Sequence, residues 1–188
     1  MKGALSIPKP KFLLDFIVGL DSLAKKNFPV SEVLAYLKAS HFQEDLLEPY
    51  TFFSEKRYTR NLLHKRPEYE VLLLCWMPNQ ISPIHGHEGE KCWMRVESGE
   101  LYFTNYVEKE NASGEVTVEP LDSQVGGQGF VDGPAIIHRV ANQTLKPAMS
   151  LHLYAKPFAQ CDVFDEEKHL KTRIGLGYDS VDGKRATE

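Results

Sequence analysis

The histidines of this chain include a pair spaced as H-x-H and a third that lies far downstream. His85 and His87 form the pair, and His138 directly follows the apolar stretch Pro134–Ile137. On a β-strand, residues i and i+2 point to the same face, so the first two rings would face one space. An imidazole from a second strand would complete a set of three neutral ligands with positions left open for substrate. The pattern therefore predicts a catalytic metal site of a kind that suits a redox metal.

Residue types alone leave the identity of the metal open. Imidazole is a suitable ligand for iron, zinc, copper and nickel. The ordinary alternative is that each histidine simply packs in the core or lies on the surface. That alternative is strong for a lone histidine, but it is weaker for an H-x-H pair with a partner on another apolar strand.

The elements that would hold these side chains change type along the chain. Apolar residues recur at helical spacing from Phe12 to Leu23, a second helix is expected from Ser31, and a third covers Phe42–Leu47. From about residue 68, short apolar runs such as Val71–Trp76 alternate with turn residues, which is typical of an antiparallel barrel or sandwich. We expect one domain over residues 1–188. It has a helical segment at about 10–50 packed on a β-barrel at about 57–176, followed by a loosely ordered tail at 179–188.

Composition restricts the class of protein. The 188 residues carry a net charge of −4, and 42% of them are hydrophobic, which fits one ordinary globular domain. No basic block predicts binding to nucleic acid or to an anionic membrane. The chain begins without a signal-like segment and has no apolar run approaching the roughly 20 residues of a membrane span, so a cytoplasmic protein is expected. Three cysteines, Cys75, Cys92 and Cys161, are expected to be buried thiols without disulfides.

The spacing around the histidines resembles the two motifs of the cupin superfamily, G-x5-H-x-H-x3-4-E-x6-G and G-x5-P-x-G-x2-H-x3-N. Gly99 and Asn142 stand at the expected distances from the histidines. The chain departs from the motifs at the glutamate ligand position, which is Cys92, and at the first glycine, which is Asn79. Gly133 and Ala135 likewise stand where the second motif has proline and glycine. The resemblance implies a mainly β fold with N-terminal helices, in which the strands form a cupin-type antiparallel β-barrel, or jelly roll.

Loss of the motif glutamate has a physical consequence for the predicted site. A ferrous ion held by three neutral imidazoles keeps its full double positive charge and favours an anionic ligand such as a thiolate. A site that already holds a carboxylate has less need of one. The three-histidine set is therefore suited to a thiol substrate that binds the metal directly.

A narrower resemblance appears when five segments are considered in order. They are Arg57–Asn61 (RYTRN), Leu74–Trp76 (LCW), the H-x-H-x4-C segment, His138, and Ser150–Tyr154 (SLHLY). Over roughly residues 10 to 175 the chain resembles the cysteine dioxygenase family. That resemblance implies an Fe(2+) enzyme of cysteine catabolism that adds both atoms of O2 to the sulfur of L-cysteine and yields cysteine sulfinate. Family analogy also favours a monomer.

The resemblance implies a role for each matching residue. His85, His87 and His138 would hold the iron, and Arg60 would pair with the substrate carboxylate. Tyr154 would be the active-site tyrosine, assisted by His152 and Ser150. The remaining matches are Cys92 as the thioether partner of Tyr154, and Tyr58 and Trp76 as pocket-lining residues.

Some of these roles have support from the residues themselves, with alternatives left open. The Arg60 guanidinium can meet a carboxylate through two parallel hydrogen bonds, although a lone arginine is more often a solvated surface charge. Ser150, His152 and Tyr154 alternate, so they share one face of a strand that is either site-lining or solvent-facing. Cys92 is either a small buried hydrophobe or a thiol that an adjacent redox metal could oxidise.

Two other functions compete with this prediction. Dioxygenases for another small thiol, such as 3-mercaptopropionate, tend to carry Gln in place of the carboxylate-binding Arg, so Arg60 favours cysteine. A non-catalytic metal-binding cupin would often carry a DNA-binding segment, and the helices before Glu68 lack a basic recognition face. Cupins that act on carbon usually keep the motif glutamate that is missing here.

Overall fold

The computed structural model describes residues 9–110 and 116–186. Three helices come first: α1 (Lys11–Ala24), α2 (Val30–Ala39) and α3 (Glu44–Leu47), followed by one 3-10 turn at Glu48–Tyr50. Within the described ranges, none of these helices has the length and apolar character needed to cross a membrane. The strands that follow are β1 (Thr59–Lys65), β2 (Glu70–Trp76), β3 (Ile84–Gly86), β4 (Lys91–Ser98), β5 (Glu100–Glu110), β6 (Val116–Gly127), β7 (Val131–Ala135), β8 (Ile137–Ala141), β9 (Ala148–Ala155), β10 (Gln160–Asp165), β11 (Leu170–Gly175), β12 (Ser180–Val181) and β13 (Lys184–Arg185).

The strands form two sheets. A seven-stranded sheet has the order β13-β12-β1-β2-β9-β4-β7, and a six-stranded sheet has the order β11-β10-β3-β8-β5-β6. Among the described residues, every strand pairing is antiparallel except that of β1 with β12. This confirms the prediction of a mainly β jelly roll with N-terminal helices. The two sheets stay separate, so the arrangement is closer to a sandwich than to a closed barrel.

The central strands of the seven-stranded sheet are buried on both faces. In β2, Val71, Leu73 and Cys75 belong to the core cluster beneath the helices, whereas Leu72 and Leu74 face the interior between the sheets. The helices fill the outer face with buried residues such as Leu13, Leu20 and Leu37. Full burial of each such leucine contributes roughly 2 kcal/mol, so the helical layer stabilises the sheet that carries much of the site.

The apolar stretch Pro134–Ile137 that precedes His138 is divided between two strands in different sheets. Ala135 ends β7 in the seven-stranded sheet, and Ile137 begins β8 in the six-stranded sheet. Ile136 lies at the corner between them, with 77% of its surface exposed. The sequence gives no sign of the break, because the exposed corner residue, Ile136, is itself apolar.

The tail expected to be loose is part of the seven-stranded sheet as far as residue 186. Ser180 pairs with Asn61 on β1 in parallel, and the Asp182 N–H donates to the Leu62 carbonyl at 2.9 Å. Asp179 also accepts a hydrogen bond from the Arg60 backbone N–H at 2.8 Å. These partners satisfy backbone groups at an edge of β1 that would otherwise be unpaired, which corrects the prediction for residues 179–186. Residues 187 and 188 lie outside the described ranges.

Candidate metal centre

The strand register brings the three predicted histidines together. His85 on β3 is the direct partner of His138 on β8, and His87 follows the end of β3. One ring nitrogen from each residue can be chosen so that all three lie within 4.8 Å of one another. The ring centroids are 4.7 to 5.1 Å apart. Three imidazoles at this separation can bind one metal ion.

Backbone carbonyls orient two of the rings. His85 Nδ1 lies 3.0 Å from the Pro83 carbonyl, and His87 Nδ1 lies 3.2 Å from the carbonyls of Ala135 and Ile136. A carbonyl can only accept, so each Nδ1 carries the proton and each Nε2 keeps a free lone pair. His87 Nε2 and both ring nitrogens of His138 are buried without a hydrogen-bond partner among the described residues. Buried nitrogens without partners are costly, and a bound metal ion would satisfy His87 Nε2 and one of the two His138 nitrogens.

Burial also keeps the three rings neutral. Desolvation lowers the pKa of His85 to about 4 and that of His87 to about 3, and it lowers the pKa of His138 well below its usual value. Neutral imidazole is the form that binds a metal. The site residues therefore present lone pairs, not positive charge, at neutral pH.

The predicted row on β9 lies in the protein interior. Ser150, His152 and Tyr154 are each at most 2% exposed, which rules out the solvent-facing alternative. Ser150 Oγ lies 2.9 Å from His152 Nε2, and the Tyr154 hydroxyl lies 3.4 Å from His152 Nδ1. The Trp76 indole N–H donates to Ser150 Oγ at 2.9 Å. Four side chains thus form one hydrogen-bonded row that ends at Tyr154.

Tyr154 and Cys92 lie side by side near the histidines. They are direct partners across the antiparallel pair of β9 and β4, and both are 1% exposed. The Tyr154 ring centroid is 5.9 Å from that of His87. Burial raises the pKa of both the Cys92 thiol and the Tyr154 phenol, so both are uncharged at neutral pH.

Arg60 lies on β1 with only 8% of its surface exposed, which excludes a solvated surface charge. Its guanidinium carbon is 5.7 Å from the centroid of the Tyr154 ring. The Arg60 Nε donates to the Gly177 carbonyl at 3.2 Å. A buried cation with few other partners is available to bind an anionic group beside the tyrosine.

A family model described as cysteine dioxygenase type I matches residues 4–167. This chain belongs to the cysteine dioxygenase type I family. Cysteine dioxygenase type 1 of Homo sapiens is 30% identical over 181 residues, covering 94% of this chain and 90% of that protein. The Rattus norvegicus protein of the same name is 31% identical over equal shares of the two chains. A solved RmlC-like cupin protein from Desulfovibrio desulfuricans has a TM-score of 0.41 and 19% identity, covering 63% of this chain and all of that one.

The resemblance to the cysteine dioxygenase family predicted from the sequence is therefore confirmed. The resemblance also suggested Tyr58 and Trp76 as pocket-lining residues. Their rings stack on each other, with centroids 4.4 Å apart. The polar edge of Trp76 is directed at Ser150, so this indole also belongs to the row on β9.

The sequence analysis did not place two further residues beside the candidate metal centre. The Phe158 ring packs against Tyr154 at 5.1 Å and against His87 at 6.1 Å between centroids. Cys161 is buried, and burial raises the pKa of its thiol while the nearby Arg60 cation opposes that shift. Phe158 follows β9 in a loop with no periodic pattern, so no local signal marks it. As expected, all three cysteines are buried and free of disulfides.

Proposed function

We propose that this protein is an iron(II)-dependent dioxygenase that converts L-cysteine and O2 to cysteine sulfinate. Membership of the cysteine dioxygenase type I family supports the reaction class. The observation that carries the proposal is a cluster of three neutral imidazoles next to a buried arginine, with no carboxylate in the ligand group found among the described residues. A dication without an anionic protein ligand favours a thiolate, and the arginine suits the carboxylate of the same substrate.

His85 and His87 would hold the iron through Nε2, which points away from the backbone carbonyls, and His138 would do so through one of its unpartnered ring nitrogens. The unpartnered buried nitrogens of His87 and His138 fit that role. Iron(II), when bound there, supplies the redox chemistry that lets O2 react with a thiolate.

Arg60 would fix the position of the substrate by pairing with its carboxylate. The guanidinium is buried, so this ion pair forms in a region of low dielectric constant and is stronger than a surface pair. Binding the far end of a small substrate in one place also sets the direction of its sulfur, and such orientation lowers the barrier of the following step. Tyr58 and Trp76 would form an apolar wall that excludes water.

Tyr154 would serve as a hydrogen-bond donor within the pocket. Burial keeps its phenol protonated, and the row through His152 and Ser150 holds the ring in place. A fixed neutral donor stabilises negative charge on a bound oxygen or carboxylate without any reorganisation.

Cys92 and Tyr154 would become linked by a thioether. The bond would form between Cys92 Sγ and a ring carbon of Tyr154, and the S–H and C–H bonds would break. The two protons and two electrons released would reduce one O2 to hydrogen peroxide. Their direct opposition on adjacent strands supports this step, because it makes the two residues neighbours on one face of the sheet.

Metal analysis combined with O2 uptake and sulfinate detection tests the function. We expect about one iron per chain, and uptake of one O2 for each sulfinate formed from L-cysteine. 3-Mercaptopropionate should be a poorer substrate because it lacks the amino group, although it retains the carboxylate for Arg60. A His138→Ala variant should lose iron and turnover together. Faster turnover of 3-mercaptopropionate would change the proposed substrate, and an iron-loaded protein inert toward both thiols would contradict the proposed reaction class.

A further inference from the structure

A second pocket lies on the other face of strand β4. Met94 and Val96 point from β4 into the interior cluster that contains Tyr154, and the alternate residues Arg95 and Glu97 face the helical layer. A pocket of about 320 Å³ opens there. The lining residues that bear on its chemistry are His41, Phe42, Arg95, Glu97 and Gln128. None of them belongs to the metal centre.

Arg95 is the unusual member of this pocket because its charged side chain is only 1% exposed. Its Nε donates to Glu97 Oε1 at 2.6 Å, and its Nη1 donates to the Leu37 carbonyl of α2 at 2.7 Å. Its Nη2 is buried without a hydrogen-bond partner among the described residues. Buried charged donors are nearly always paired, so this nitrogen lacks an acceptor that a ligand can supply.

The surrounding groups restrict the chemistry of that ligand. The Glu97 carboxylate is 4% exposed and lies against Arg95, so the two charges offset each other. A simple anion would add one uncompensated charge to this buried pair. A molecule with both charges would satisfy the arginine with its carboxylate and the glutamate with its ammonium. The Phe42 ring, 4.8 Å from the Arg95 guanidinium carbon, offers an apolar wall for a side chain.

We propose that this pocket binds a small zwitterionic α-amino acid, with the carboxylate on Arg95 and the ammonium on Glu97. The volume is near the lower end for small-molecule sites, roughly 300 to 1,000 Å³, so it suits a ligand of that size. The site is separate from the metal centre, because the two lie on opposite faces of β4. The inference therefore does not rest on the proposed dioxygenase reaction.

Calorimetry on the iron-loaded protein tests the proposal, with L-alanine as a probe that has no thiol. We expect saturable binding at one site per chain. Propionate and ethylamine each carry one of the two charges and should bind at least tenfold more weakly. A Gln128→Trp variant fills the pocket at an exposed position, leaves the buried pair in place, and should abolish binding. Gln124→Trp makes the same change on β6 outside the pocket and should leave binding unchanged.

Several outcomes would overturn the proposal. Absence of saturable heat at millimolar L-alanine would remove the site. Equal affinity for propionate would make it a carboxylate site and not a zwitterion site. Binding that survives Gln128→Trp but disappears in His138→Ala would place L-alanine at the metal centre instead.

Discussion

Trp76 and Ser150 are joined by a hydrogen bond of 2.9 Å in which the indole can only donate. The Ser150 oxygen accepts this hydrogen bond, and its hydroxyl can donate to His152 Nε2 at 2.9 Å. Burial lowers the pKa of His152 well below its usual value, so the ring carries a single proton, and donation from Ser150 to Nε2 places that proton on Nδ1. The Nδ1–H points to the Tyr154 oxygen, and the phenolic proton is directed elsewhere. In this direction, each member of the row from the indole to His152 donates one hydrogen bond to the next.

A Trp76→Phe variant should disturb that direction while it keeps an aromatic partner for Tyr58. Loss of one buried hydrogen bond of about 1 kcal/mol predicts a several-fold decrease in kcat for L-cysteine, with a smaller change in KM. Steady-state O2 uptake measures both constants. Trp93→Phe is the matched control, because the Trp93 indole N–H has no hydrogen-bond partner in the described part of the chain. Equal decreases in the two variants would refute a role for the Trp76 donor.

Arg60→Ala should raise the KM for L-cysteine by roughly 10- to 100-fold, since a hydrogen bond to a charged group contributes about 1.5 to 3 kcal/mol. The iron content should stay the same, because Arg60 lies outside the histidine cluster. Kinetics and metal analysis of the same preparation check both statements. Arg66→Ala removes an arginine that pairs with Asp21 near the surface and should leave KM unchanged. An unaltered KM in Arg60→Ala would exclude Arg60 from substrate binding.

The histidine cluster was predictable because short-range spacing in the sequence already places two of its three members together. The H-x-H spacing places two rings on one side of a strand, and an apolar stretch marks the strand of His138. The corner at Ile136 was not predictable, since an exposed apolar residue continues an apolar run. The pairing of Ser180 with Asn61 joins residues that are far apart in the chain, and a short polar strand has no pattern of its own. The contact of Phe158 with Tyr154 was not predictable either, because it depends on where the loop after β9 passes the sheet.

The proposed thioether predicts a change in mass. Joining Cys92 to Tyr154 removes two hydrogen atoms, so intact protein after turnover should be about 2 Da lighter than before. Cys92→Ser should show no such loss, whereas Cys75→Ser should still show it, because Cys75 faces the helical cluster on the other side of the sheet. Peptide mapping should locate the link to β4 and β9. Fully active protein with unchanged mass would contradict the crosslink.

His64 predicts a pH dependence of stability away from the metal centre. Burial, with a smaller effect of nearby Lys9 and Arg66, lowers the pKa of His64 in the folded state. The unfolded chain then binds the proton more readily, so the contribution of His64 to stability is complete above its ordinary pKa near 6.5 and is lost as the pH falls through the folded value. Urea unfolding of His64→Gln should show a shallower loss of stability below pH 6.5 than the parent protein. His169→Gln is the control, and a parallel decline in all three proteins would oppose this assignment.

Iron binding should stabilise the fold, because the nitrogens it would contact are desolvated in the metal-free protein. At a free metal concentration 100 times Kd, linkage predicts about 2.7 kcal/mol of added stability. For a chain of this size that corresponds to a rise in Tm of roughly 5 to 10 °C. Thermal unfolding with and without ferrous iron under anaerobic conditions measures the shift. His138→Ala should remove it, since two imidazoles bind the ion far more weakly than three, whereas His169→Ala should retain it. A Tm that iron leaves unchanged in the parent protein would count against the three histidines as its ligands.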